Sequence, residues 1–101
     1  MRLELLESAQ KQAEVCGVFG NPYRVLIVWA LGKQERSVTD IAAAIECSLQ
    51  NTSQHLRLMR DKGILNSRRD GNTIYYRVND VGPLAHCDLF QLSEDGILVE
   101  N

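Results

Sequence analysis

Apolar residues recur at helical spacing through the first half of the chain. Leu6, Ala9, Ala13 and Cys16 are three or four residues apart, and Leu5, Val15 and Phe19 widen the stripe. That spacing predicts an amphipathic helix over residues 3 to 19. Asn21-Pro22 then reads as an N-cap followed by proline at the first helical position. From Val25 to Leu31 the chain is apolar on every side. Periodicity alone does not separate a buried helix from a buried strand in such a run. The Asn-Pro start and the Gly32 stop favour a helix of about ten residues at the centre of the domain, with Trp29 expected as a core aromatic. Residues 32 to 36, Gly-Lys-Gln-Glu-Arg, read as a polar connection.

Residues 37 to 63 carry the strongest pattern. Ser37 and Asp40 have capping-box spacing, so a short helix is expected to start at Val38 and run through Ile41 and the alanines to Ile45. Glu46, Cys47 and Ser48 interrupt it, and Ser48 is a second good N-cap. From Leu49 a second helix is expected to reach Asp61 or Lys62, with Gly63 as its stop. Thr52, Leu56 and Met59 would face the body of the domain, with Leu49 extending that stripe. Gln50, Asn51, Gln54, Arg57 and Asp61 fall on the other side. Two short helices joined by a tight turn can offer the second to a DNA major groove. Gln and Asn pair with adenine edges, Arg with guanine, and Ser with either kind. The competing reading is a solvated polar face on an ordinary helix.

After Gly63 the pattern changes from helical to β-prone. Residues 64 to 69 and 73 to 78 flank Asp70-Gly71-Asn72, which predicts a hairpin. Arg68 and Arg69 lie beside its turn. Placed directly after a candidate reading helix, such a hairpin looks like a wing that sets cations on nucleic-acid backbone or in a narrow minor groove. The alternative is a solvent-exposed hairpin whose charges only guard its edge. Val81, Leu84, Ala85, Leu89 and Leu92 could form one more amphipathic helix. The expected organisation is a winged helix–turn–helix domain over residues 1–92, followed by an acidic tail over 93–101 in which Ile97, Leu98 and Val99 could pack locally. The fold class is mainly α with a small β-hairpin, in the order α-α-α-α-β-β-α.

Composition narrows the function. The chain has 101 residues, 45% hydrophobic and 24% charged, which fits one globular domain with a modest core. No apolar run approaches the roughly 18 residues of a membrane span. The first residues do not read as a signal sequence, so a cytoplasmic protein is expected. The formal charge of −2 looks wrong for a nucleic-acid binder until it is divided along the chain. Residues 55 to 77 hold Arg57, Arg60, Lys62, Arg68, Arg69 and Arg77 against Asp61 and Asp70, a local +4. Residues 79 to 101 hold Asp80, Asp88, Glu94, Asp95 and Glu100 with no Lys or Arg, a local −5. Phosphate responds to the local patch rather than the total.

Several motifs in this order resemble the ArsR/SmtB family of winged helix–turn–helix repressors. They are Gly20-Asn21-Pro22-Tyr23-Arg24, Val38-Thr39-Asp40-Ile41-Ala42, Thr52-Ser53-Gln54-His55-Leu56, Asp61-Lys62-Gly63-Ile64-Leu65, and Arg69-Asp70-Gly71-Asn72 with Tyr75-Tyr76-Arg77-Val78. The resemblance covers about residues 10 to 80. It implies a homodimer joined by the first and last helices and seated on a palindromic double-stranded DNA operator, released by an inducer that these residues do not specify. Carried over by position, Gln50, Asn51, Ser53 and Gln54 would read bases, with His55 at the fringe. Ser48, Arg57, Arg68 and Arg69 would contact phosphate.

The resemblance also raises metal sensing, and here the motifs depart from it. The helix over Ile41 to Ile45 lacks a Cys-x-Cys pair, and His86-Cys87-Asp88 are adjacent, about 100° apart around a helix. No single-chain metal site or cofactor is expected, which leaves only a site shared across a dimer. Cys16, Cys47 and Cys87 are the candidate sensor residues. Cys47 precedes the N-terminus of the reading helix, where a thiolate is favoured, so cysteine-based redox sensing is one option. Ordinary packing of Cys16 and Cys47 is the other. An enzyme finds no support, for the chain has no Gly-rich phosphate loop and no nucleophile–base pair. A winged-helix module used only for protein contact stays as the alternative function.

Overall fold

The computed structural model describes residues 17–79 and Gly96. The expected helices over 3 to 19 and 79 to 92, with Cys16, His86 and Cys87, lie outside the described residues, apart from the end of the first at Gly17 and Val18.

Helix α1 spans Pro22–Leu31. Asn21 caps it by accepting from the Tyr23 backbone N–H, 2.9 Å away, and Pro22 occupies the first turn. Its buried side is Ile27, Val28, Ala30 and Leu31. Trp29 stands opposite that stripe and is 50% exposed, which corrects the expectation of a core aromatic. In a helix apolar all round, spacing does not say which side the fold will cover. Burial of a side chain such as Ile27 or Leu31 is worth about 1.5–3 kcal/mol, so those residues, not Trp29, anchor α1.

Helices α2, Val38–Ala44, and α3, Leu49–Asp61, form the helix–turn–helix. Ser37 Oγ accepts from the Asp40 backbone N–H and Ser48 Oγ from that of Asn51, each at 3.1 Å. Both helices end in the same way. At the end of α2, Glu46 N–H donates to Ala43 O and Cys47 N–H to Ala42 O. At the end of α3, Gly63 N–H donates to Arg60 O and Ile64 N–H to Met59 O. Each is a Schellman closure that needs one left-handed residue. Gly63 fills that role at φ 78°, whereas Glu46 fills it at φ 54° despite its side chain. The turn between the helices is therefore locally strained.

Thr52, Leu56 and Met59 are buried as expected, but Leu49 is 54% exposed. It sits in the first turn, clear of the core, so the apolar stripe of α3 begins one turn later than its spacing implied.

Strands β2, Leu65–Asp70, and β3, Thr73–Val78, form the expected hairpin with Asp70 opposite Thr73. Its two-residue loop has a positive φ at Gly71 and not at Asn72, the arrangement that suits the twist of a hairpin. The structure adds a strand at the end of the expected polar connection. Strand β1, Arg36–Ser37, pairs with β3 through Arg36 opposite Tyr76 and Ser37 opposite Tyr75. The sheet order is β1-β3-β2. Ser37 thus ends a strand and caps α2 at once, which ties the hairpin to the start of the helix–turn–helix. At its base, Asn79 Nδ2 donates to Gly63 O at 3.1 Å and Asn79 N–H to Ile64 O at 3.0 Å. The hairpin is therefore also fastened to the exit of α3.

Candidate nucleic-acid interface

Helix α3 separates its residues cleanly. Thr52, Leu56 and Met59 face the core, while Gln50, Asn51, Gln54 and Arg57 are exposed on the opposite side. Amides and a guanidinium on an uncovered helix face can read base edges. Ser53 is half-buried on one flank of that face. Ser48 is exposed, and its oxygen caps the helix, which leaves its O–H proton available as a donor.

His55 occupies the other flank, turned toward α1. Its Nδ1 accepts from Arg24 Nε at 3.3 Å, and its ring stacks on Tyr23 with centroids 6.1 Å apart and planes 22° apart. Arg24 also donates from Nη1 to Val18 O at 3.3 Å. Partial burial pushes the imidazole below its ordinary value of 6.5, and the Arg24 cation adds to the effect. At neutral pH the ring is therefore uncharged, and the Arg24 bond places its proton on Nε2. His55 locks the reading helix to α1. Arg24, its partner, was absent from the sequence-derived site. The signal was present in Tyr23-Arg24 directly after the helix cap, but nothing local links it to residue 55.

The two hairpin arginines differ. Arg68 is held by Glu35: Nη2 lies 2.6 Å and Nε 3.0 Å from the carboxylate. Its guanidinium stacks over the Tyr75 ring, 4.7 Å from the centroid, with Asp70 3.9 Å away. The Arg68 bond holds the Glu35 carboxyl below its ordinary value, and the same bond raises Arg68. Arg69 and Arg57 are exposed and form no ion pair with any described residue. Arg60 is engaged with Asp61 at 3.3 Å.

Cys47 is half-buried and packs against the core, one residue before the Ser48 cap. It closes the Schellman turn of α2, a place that suits a small apolar side chain. Among the described residues no group of three or more His, Cys, Asp or Glu is arranged to hold a metal ion, and no helix is long and apolar enough to cross a membrane.

This arrangement is a winged helix–turn–helix. Residues 19–68 match a helix-turn-helix domain family. The transcriptional repressor SmtB homolog of Synechocystis is 36% identical over 75 residues, 74% of this chain and 57% of that protein. The regulator YgaV of Escherichia coli is 33% identical over 78 residues, 76% of this chain and 79% of its own length. Reduced HlyU from Vibrio cholerae superposes with a TM-score of 0.73 at 26% identity, covering 79% of this chain and 84% of that one. The homodimeric winged helix-turn-helix DNA-binding domain of Mb0332 from Mycobacterium bovis gives 0.62 at 29% identity, covering 75% of this chain and 68% of that one.

The chain belongs to the ArsR/SmtB family, whose members regulate transcription and are not enzymes. It spans little more than half the length of the SmtB homolog.

Proposed function

We propose that the protein is a cytoplasmic, homodimeric repressor of transcription that binds a palindromic DNA operator and leaves it when an inducer binds. Helix α3 of each protomer enters a major groove, and two-fold symmetry sets the half-sites about 10 base pairs apart. The observation that carries this reading is the uncovered face of Gln50, Asn51, Gln54 and Arg57 on a helix whose opposite side is core. Gln50, Asn51, Ser53 and Gln54 read bases, with His55 holding the helix in place from its flank. Ser48, Arg57 and Arg69 meet phosphate. Arg68, already satisfied by Glu35 and Tyr75, acts as a strut that sets the wing.

The homodimer reading is supported by the Mb0332 domain, which is a homodimer. The half-buried place of Cys47 favours packing over signal entry at that residue. A thiol-based signal would then rest on Cys16 or Cys87.

The test is DNA binding across a salt series, on the DNA upstream of the protein's own gene and on random DNA. Tight, salt-dependent and sequence-selective binding is expected. Absence of salt-dependent binding to both would favour a protein-contact module.

A further inference from the structure

Leu49 is the first residue of α3 and is 54% exposed, more than Tyr23, Trp29 or Ile74. A leucine kept in water forgoes the gain that burial would bring. Its neighbours along the chain, Ser48, Gln50 and Asn51, are polar and exposed. Residues four apart on a helix are offset by about 40°, so Leu49, Ser53 and Arg57 form one row that climbs the flank of the exposed face.

Direction adds to position. A helical side chain leans toward the N-terminus of its own helix, so that of Leu49 projects past the first turn of α3 rather than back over it. Hydrogen bonds hold the backbone on both sides of it. Ser48 Oγ accepts from the Asn51 N–H at 3.1 Å, and the Glu46 and Cys47 N–H groups close the end of α2 just before. In a reading helix the N-terminal residues are the ones that meet base edges. The major groove offers one apolar group, the C5-methyl of thymine. Gln50, Asn51, Gln54 and Arg57 can pair with polar edges, and Leu49 is the residue among them that a methyl group suits.

We propose that Leu49 reads thymine by packing on its C5-methyl in the major groove, which rests on α3 being the DNA-reading helix. Leu49 is then covered on binding. Each half-site carries a thymine selected by its methyl group rather than by a hydrogen bond.

The probe is a duplex enriched by the wild-type protein from random-sequence DNA. It is made once with thymine and once with deoxyuracil, which pairs alike and lacks only the methyl. The wild type should prefer the thymine duplex by roughly fourfold for each methyl that Leu49 covers. Leu49→Ala and Leu49→Gln should bind the thymine duplex more weakly and lose that preference, while binding unselected random DNA as the wild type does. Leu49→Gln keeps the reach of the side chain and ends it in an amide, so it separates the methyl contact from bulk. Far-UV circular dichroism reports the fold of each variant. Equal affinity of the wild type for the two duplexes would overturn the proposal. So would a thymine preference that survives both substitutions, because another residue would then touch the methyl. Enrichment of no duplex at all would instead remove the DNA-reading role of α3, and the proposal with it.

Discussion

Glu35 and Arg68, 33 positions apart in the chain, form a carboxylate–guanidinium pair with its shortest contact at 2.6 Å. The pair bridges the loop before β1 and the outer strand of the wing, passing over Tyr75 on the central strand. It gives the two adjacent wing arginines different jobs. Arg69→Ala is expected to weaken binding to every DNA sequence and to reduce the salt slope by about one. Arg68→Ala is expected to weaken binding while leaving the slope unchanged, since a strut releases no counterion. Salt titrations of the two variants decide. Equal flattening by both would mean that Arg68 leaves Glu35 for phosphate.

Gln54 lies at the middle of the exposed face of α3. Gln54→Ala is expected to cost about 1–3 kcal/mol on the operator and less on random DNA. Equal losses measured on both would remove Gln54 from base reading.

His55 makes a pH prediction of definite sign. Its folded-state value lies below the ordinary 6.5, so the unfolded chain binds the proton more readily. Stability is then complete above about pH 6.5 and declines as pH falls through the lower folded value. Glu35 acts further down: its contribution is present above 4.5 and disappears as pH falls through its lowered value. His55→Asn keeps an acceptor for Arg24 without a titrating ring. Urea midpoints between pH 7 and pH 5.5 should therefore decline less in this variant than in the wild type. An identical decline in both would remove His55 as the cause.

The turn of the helix–turn–helix can be relaxed. A left-handed non-glycine residue costs roughly 1–2 kcal/mol, and the extra freedom of glycine in the unfolded chain offsets about half of that. Glu46→Gly, at φ 54°, should raise stability by about 0.5–1 kcal/mol. Chemical denaturation measures it, and a loss of stability would mean that the Glu46 side chain makes a compensating contact.

Thr52 presents the opposite opportunity. Its hydroxyl is fully buried and has no hydrogen-bond partner among the described residues. Thr52→Val keeps the shape and removes the orphaned group, so a gain of roughly 1 kcal/mol is expected in the same assay.

The elements of the helix–turn–helix and the hairpin were legible because their signals are local. Asn21-Pro22, the Ser37 and Ser48 caps and Gly63 mark ends through hydrogen bonds to residues two to five positions away. The stripe of Thr52, Leu56 and Met59 needs only the helical period. Gln50, Asn51, Gln54 and Arg57 were recognisable as an exposed face by the same arithmetic.

Long-range geometry was not legible. Strand β1 is two residues long and exists only because Arg36 and Ser37 meet Tyr76 and Tyr75. Arg24 on His55 and Glu35 on Arg68 join residues 31 and 33 positions apart, and no spacing rule connects them.

The sequence by itself determined which segments are helix or hairpin, where they end and which side of α3 is polar. Those properties depend on the backbone's nearest hydrogen bonds and on the period of the side chains. Tertiary structure decided which cations stay unpaired among the described residues, which flank of α3 is locked to α1 and which side of α1 the described residues bury. Each of those outcomes depends on what a distant segment brings to the same place. Trp29 separates the two most sharply: its helix could be read from the chain, but its outward direction was set by what packed on the other side.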